Sequence, residues 1–252
     1  MIEIQTLDIR RDGAAILDGL DLSLPHGGLT AVIGPNGAGK STLLHAMAGL
    51  LVPNAGSVRI GGLEMARAPA RERARTVALL AQTEAVTARL TVAELVAFGR
   101  WPHHGGRPRA ADRAAVAEAL SLFELEQLSN RLISTLSGGQ RSRAFTAMVH
   151  VQATPWMLLD EPLAALDPRH ARDLMERLAA LSRPPGDRSI VVVLHDLAQA
   201  ARHADRIVAL KDGRLVAAGP ADEVLTDATL SDLFDTQLRV VTVLGRRTVI
   251  EA

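Results

Sequence analysis

Short unbroken apolar runs punctuate this chain. Leu29 to Ile33, Thr76 to Leu80, Trp156 to Leu159 and Ser189 to Leu194 read as strands buried on both faces. Residues 2–10 and 14–24 read as strands around a turn at Arg11-Asp12-Gly13, and Ser57 to Ile60 as a short strand. Helical patterns cover Thr42 to Ala48, Ala110 to Phe123, Arg141 to Gln152 and Arg169 to Ser182. A further helix starts at Thr91, which forms a capping box with Glu94 while Leu90 staples against Leu95. Trp101 to Gly106 reads as a loop, and Arg71 to Arg75 as a solvated face. Arg206 to Ala218 reads as a hairpin around Asp212-Gly213. Two short helices are expected in Ala221 to Phe234, then a terminal hairpin around Gly245. The predicted fold is α/β with a mixed sheet. Residues 1–83 and 153–252 form its core, and 84–152 a helical subdomain inserted into it.

The chemistry gathers where strands end. Gly34-Pro35-Asn36-Gly37-Ala38-Gly39-Lys40-Ser41-Thr42 runs from a buried strand into a helix, the order of a phosphate-binding loop. Glycines let consecutive N–H groups turn towards one spot, and the helix N-terminus adds its dipole there. Lys40 can reach β- and γ-phosphates, and the Ser41 hydroxyl can ligate Mg²⁺. Lys40 and Lys211 are the only lysines in a chain that otherwise uses Arg, so a compact ammonium is kept where a planar guanidinium would not fit. Asp160 ends the run 156–159 and reads as the Mg²⁺-side carboxylate; Glu161 beside it is placed to polarise a water. Leu136-Ser137-Gly138-Gly139-Gln140 opens a helix as a second anion site. Two phosphate cradles on different subdomains suggest sites completed by a second copy of the chain. His195 follows a buried strand of the kind whose carboxyl end carries ligands. Gln82 occupies a similar place, but spacing alone makes it an ordinary polar loop residue. His103 and His104 lack a neighbouring acid or Cys and read as surface loop. Ser137 lacks the strand-to-helix elbow of a nucleophile.

Composition narrows the classes. The 252 residues are 48% hydrophobic but 2% aromatic, so the core must be Ala, Leu, Val and Ile. Acidic and basic residues balance at 28 each, which gives no electrostatic reason to expect nucleic acid as a partner. The lack of Cys excludes disulfides, thiolate metal sites and a Cys nucleophile. The start Ile2-Glu3-Ile4-Gln5 does not resemble a secretory leader, and no apolar run approaches the ~20 residues of a membrane span. A soluble chain is expected, reaching a membrane only through a partner.

Together these stretches resemble the ATP-binding cassette ATPases over essentially the whole chain. Gly34 to Thr42 resembles the Walker A loop, Gln82 the Q-loop, and Leu136 to Gln140 the LSGGQ signature. Met157 to Pro162 resembles Walker B, Ala164 to Asp167 the D-loop, and His195 the H-loop. The resemblance implies a P-loop NTPase cassette with an antiparallel β subdomain and an inserted helical one, using ATP and Mg²⁺. It implies that Lys40 and the loop amides hold phosphates, that Ser41 and Gln82 ligate Mg²⁺ with Asp160 supporting, and that Glu161 polarises the attacking water. Ser137, Gly138, Gly139 and Gln140 would then cap the γ-phosphate of ATP held by the partner copy, and His195 would contact a γ-phosphate. The helical insert and the loop after Gln82 would grip a transmembrane permease subunit. The family stacks adenine on an aromatic near the first turn; here the position is Arg11, whose guanidinium can stack on a base. The D-loop Ser is replaced by Ala164.

Ser137 to Val149 and Val193 to Ala201 look most like ATPase subunits of importers for ferric siderophores, haem and cobalamin, with Arg143 to Phe145 and Ala147 to Val149 favouring the siderophore branch. The implied protein is a homodimeric ATPase at the cytoplasmic face of the cell membrane, served indirectly by a substrate-binding protein. Soluble cassette ATPases acting on nucleic acid or ribosomes are the rival class, but they carry coiled-coil inserts or paired cassettes. A small-molecule P-loop kinase would have no use for a second phosphate cradle, and an exporter is disfavoured because no membrane domain is fused here and the motifs resemble those of importers.

Overall fold

The computed structural model describes residues 1–82, 89–184 and 186–252. The chain opens with strands Ile2–Arg11 (β1), Ala14–Leu24 (β2) and Leu29–Ile33 (β3), then helix Lys40–Met47 (α1). Strands Ala55–Ile60 (β4) and Leu63–Glu64 (β5), helix Ala70–Thr76 (α2) and strand Val77–Leu80 (β6) follow. Next come helices Val92–Phe98 (α3), Trp101–His104 (α4), Ala110–Leu122 (α5) and Gly138–Val151 (α6). Strands then alternate with helices again: Trp156–Leu159 (β7), Pro168–Ser182 (α7), Ser189–Val193 (β8) and Leu197–His203 (α8). The chain closes with Arg206–Lys211 (β9), Arg214–Pro220 (β10), Ala221–Val224 (α9), Asp227–Phe234 (α10), Leu238–Val243 (β11) and Arg246–Glu251 (β12).

The unbroken apolar runs lie side by side. They form a six-stranded sheet in the order β10-β9-β3-β8-β7-β6, parallel throughout except for β10. Every residue of β3, β7 and β8 is buried, because both faces of this sheet are covered. Alternation along the strands sorts them between two cores. Leu29, Ala31, Ile33, Met157, Leu159, Ile190 and Val192 face the helices α3, α5, α6 and α7. Val32, Trp156, Leu158, Val191 and Val193 face α1 and a second, antiparallel sheet of order β2-β1-β4-β5. With few aromatics, aliphatic side chains fill both cores.

Helices α3, α5 and α6 pack on one another. Thr91 and Glu94 form the expected capping box at the start of α3: Glu94 N donates to Thr91 Oγ1 at 3.3 Å and Thr91 N to Glu94 Oε2 at 2.8 Å. Two local expectations are corrected and a third is extended. Trp101 to His104 is a short helix, not a loop, because Pro102 falls in the first turn where a missing N–H costs nothing. Residues 71–75 do lie on a solvated face, but as part of helix α2, which buries none of its residues. Helix α6 begins at Gly138 and not at Arg141, because Ser137 and Gln140 cap it and draw both glycines into its first turn. The expected hairpins at β9–β10 and β11–β12 are present.

Candidate functional site

Strand β3 delivers the chain into the glycine-rich loop, and sterics explain the glycines. Gly34 has φ +146, and a Cβ there would stand 2.0 Å from the Leu210 carbonyl oxygen of β9. Gly39, at φ +92, precedes α1, where a Cβ would meet Leu17 Cδ2 at 2.7 Å and the Ile16 oxygen at 2.8 Å. No side chain caps α1 at Gly39, so the first N–H groups of the helix keep their donors for an anion. Lys40 is 5% exposed and folds back over the loop, donating to the carbonyls of Gly34 at 2.8 Å and Pro35 at 2.7 Å. Burial pushes its pKa down, while the charges of Glu161 and Asp160 push it up. The ammonium thus rests on weak acceptors that phosphate oxygens can replace.

Asp160 follows β7, its N–H donating to the Leu80 carbonyl of β6 at 2.8 Å. It is 2% exposed, and neither carboxylate oxygen has a hydrogen-bond partner. Burial raises its pKa; the Ser41 hydroxyl and the charges of His45 and Lys40 pull the other way, with Ser41 close enough to favour the charged form but outside hydrogen-bond geometry. A buried carboxylate without partners is costly, and a cation is the group that would repay it. The Ser41 hydroxyl and the Asp160 oxygens, with the Gln82 carboxamide lining the same cavity as Asp160, suit a hard divalent cation. Among the described residues no cluster of three or more His, Cys, Asp and Glu side chains could hold a metal alone. Such a cation would therefore draw on substrate phosphate oxygens as well, the usual habit of Mg²⁺.

Glu161 adopts φ +50, a left-handed conformation that costs a non-glycine residue about 1–3 kcal/mol. The turn aims its carboxylate at two side chains from other strand ends. His195 Nε2, after β8, lies 2.7 Å from Oε1, and Gln82 Nε2, after β6, donates to Oε2 at 3.3 Å. A carboxylate only accepts, so any hydrogen bond at this contact would be donated by His195 Nε2. Lys40, Ser41, Gln82, Asp160, Glu161 and His195 therefore converge beyond the carboxyl ends of parallel strands, where α/β sheets place ligands.

The other cradle forms around the start of α6. Ser137 and Gln140 make a capping box, with Gln140 N donating to Ser137 Oγ at 3.3 Å and Ser137 N to Gln140 Oε1 at 3.1 Å. Gly138 and Gly139 press against the segment before α7: added Cβ atoms would sit 3.1 Å from Ala165 Cβ and from Leu166 Cδ2, respectively. Asp167 caps α7, accepting from the His170 backbone at 2.9 Å and pairing with His170 Nδ1 at 2.7 Å. These bonds, the backbone one foremost, hold its carboxyl below the usual range. Ser137, Gly139, Gln140 and Asp167 line a cavity of about 310 Å³. It is distinct from the cavity of about 370 Å³ at Gln82, Asp160 and Glu161; Gly138 and Ala165 line both.

Arg11 closes β1 at the hairpin tip, its side chain 85% exposed and 4.0 Å from Asp12. Ile16 and Leu17, farther along β2, are what touch the phosphate loop. The loop expected to grip a permease directly after Gln82 falls at residues 83–88, outside the described residues. His103 bonds the Gln152 carbonyl at 2.7 Å and His104 accepts from Gly106 N at 3.0 Å, both local structural contacts. His45 went unnoticed in the sequence; its position four residues after Ser41, on one helix face, is the signal that places it near Asp160.

Known proteins resemble this chain along most of its length. The family model described as ABC transporter matches residues 17–164. The petrobactin import ATP-binding protein YclP of Bacillus subtilis (strain 168) is 37% identical over 247 residues, covering 98% of each chain. The hemin import ATP-binding protein HmuV of Streptomyces coelicolor is 43% identical over 234 residues, covering 93% of this chain and 83% of HmuV. Among solved structures, the dimeric ATP-binding cassette MJ0796 in a post-hydrolysis state bound to ADP and Pi superposes with a TM-score of 0.79 at 27% identity, over 88% of this chain and 99% of that one. With a family model over residues 17–164 and relatives of 37% and 43% identity matched over most of their length, this chain belongs to the ABC transporter family, as one of its nucleotide-binding ATPases.

Proposed function

We propose that this chain is the ATP-hydrolysing subunit of a multisubunit membrane importer for ferric-siderophore-type iron complexes. The observation that carries the chemistry is Glu161, held between His195 and Gln82 beside Lys40 and the unpartnered Asp160. Lys40 and the N–H groups of residues 34–42 bind the β- and γ-phosphates. Ser41, Gln82 and Asp160 hold Mg²⁺, which when bound neutralises charge on the phosphate oxygens. The 3.3 Å bond from Gln82 is the weaker of the two on Glu161, so Oε2 is the oxygen released to a water. Glu161 accepts the water's proton as its oxygen bonds to the γ-phosphorus and the bond to ADP breaks. His195 steadies the other carboxylate oxygen and is placed to reach the γ-phosphate.

Two copies pair head to tail, each offering Ser137 to Gln140 and Asp167 to the nucleotide of the other. The separate cavity at these residues supports this reading, as does the dimeric cassette to which the chain is similar. ATP favours the closed pair over the open one, and that difference drives the permease. The helical insert, residues 84–152, grips the permease on the cytoplasmic face of the membrane. Among the described residues no helix is long and apolar enough to cross a membrane, in keeping with attachment through a partner. A binding protein would deliver cargo to the permease, so cargo need not touch this chain.

Relatives that import petrobactin, ferric enterobactin and iron(3+)-hydroxamate support an iron chelate as cargo. The hemin importer at 43% identity keeps haem as a second reading. The test is reconstitution of the chain with its co-purified permease in vesicles. Its turnover should rise when a binding protein loaded with a ferric siderophore is added. Stimulation by haem or cobalamin alone would redirect the cargo, and soluble nucleic-acid partners in place of a permease would overturn the transport role.

A further inference from the structure

Away from the catalytic cluster, arginines from two helices meet at one carboxylate. Glu124 follows α5 and has φ +54. Its Oε1 accepts from Arg177 Nη2 of α7, and its Oε2 from Arg143 Nη1 of α6 at 3.3 Å. Arg143 Nη1 also contacts the Phe123 carbonyl at 3.4 Å. The two arginine side chains are only 15% and 24% exposed, whereas Glu124 is 65% exposed. The carboxylate thus lies at the rim, over two cations brought from different helices.

The positions of the arginines give the cluster its meaning. Arg143 stands about one turn beyond Gln140, so it moves with the signature cradle. Arg177 stands on the helix that Asp167 caps, directly after the segment carrying Glu161. The backbone at Glu124 adds a second sign. A left-handed residue just past a helix is where glycine or asparagine is favoured, and a longer side chain is strained there. Its side chain has a partner on each oxygen, and these contacts hold it in that turn.

We propose that Glu124 is a positioning residue for ATP-driven pairing of two copies. By holding Arg143 and Arg177 together, it sets the angle at which α6 presents Ser137 to Gln140 to the nucleotide of the second copy. This rests on the composite-site reading above. The carboxylate lies at the solvated rim, and Glu124→Gln keeps one amide oxygen as an acceptor for one of the two arginines, so the fold stands while the link between the helices is cut.

The test uses Glu161→Gln as the parent, whose ATP-dependent dimerisation is measured by sedimentation. ATP binding to single copies is measured at concentrations below dimerisation. Adding Glu124→Gln should weaken dimerisation about 5- to 30-fold, leave single-copy ATP affinity unchanged, and lower Tm by no more than about 8 °C. Arg177→Gln should weaken dimerisation similarly, and the pair of substitutions should be no worse than either alone, because both cut one link. Unchanged dimerisation overturns the proposal. So does a parallel loss of single-copy ATP binding, which would mark Glu124 as a general structural residue. Failure of the Glu161→Gln parent to dimerise with ATP would overturn the composite site itself, and this proposal with it.

Discussion

The two proposed cradles for phosphate are built in opposite ways. The cluster around Glu161 hangs from β3, β6, β7 and β8, parallel strands locked in register, three of them buried at every residue. The signature cradle hangs from one helix end, closed by its own capping box and by glycines in tight contact with Ala165 and Leu166. Polar ties reach it from the side, from Ser142 Oγ to the Pro162 carbonyl at 2.6 Å and from Arg143 to Glu124. A network of sheet hydrogen bonds fixes atoms that must meet within tenths of an ångström. Helix α6 buries its later turns in the core, from Ala144 to Val151, and leaves Ser137 and Gly138 exposed at its start. The proposed chemistry thus sits on the sheet, and the proposed recognition of a second copy on an exposed helix end.

Substitutions separate the two parts, with effects that should fall in a definite order. Glu161→Gln removes the proposed proton acceptor at the sheet and should cut ATP turnover about 10²–10⁴-fold, while ATP binding persists. Near-normal turnover would show that the base lies elsewhere. Steady-state phosphate release, set beside nucleotide binding, decides this.

The rear of α6 offers a pH test. His150 is buried there, and Arg188 Nη1 donates to its carbonyl at 2.8 Å and contacts its Nδ1 at 3.1 Å. Burial, then the charge of Arg188, lowers its pKa to about 4. The unfolded chain takes up this proton near pH 6.5 and the folded chain only near 4. His150 therefore favours folding above pH 6.5, and this advantage is lost as the pH falls through that window, to the extent of about 3 kcal/mol. Urea midpoints measured from pH 7 to 4 should decline, and His150→Gln should flatten that part of the decline. An unchanged slope would mean that α6 is not anchored at this end.

Two glycine substitutions sharpen the contrast. Gly34→Ala sets a Cβ 2.0 Å from a backbone oxygen of the sheet, whereas Gly138→Ala sets one 3.1 Å from a methyl group. The first should cost about 1–3 kcal/mol and remove ATP binding by single copies. The second should spare that binding and weaken dimerisation a few-fold. Titration with a fluorescent nucleotide, followed by sedimentation, distinguishes them. The smallest effect belongs to Ser137→Ala, which deletes a helix cap at about 1 kcal/mol and should be visible as a lower Tm with single-copy ATP binding intact.

Much of this was open to reading along the chain. The buried strands declared themselves as apolar runs, because a strand covered on both faces has no polar side to show. The phosphate loop and the α3 capping box were legible for a local reason too: each is built from residues a few positions apart. Helix α2 was not, since it buries nothing and has no apolar period to detect. Nor was the start of α6, where capping by Ser137 and Gln140 draws in glycines that resist helix in isolation. Gln82 illustrates the limit best. Its spacing marked a plain loop residue, and only resemblance lent it a role. The fold brings it to Glu161 from 79 residues away. Likewise nothing local links Glu124 to Arg143 and Arg177. Local pattern reports which face a residue buries. Which strand ends become neighbours depends on the strand order β3-β8-β7-β6, set by packing among distant segments, and that order alone decides which side chains share a site.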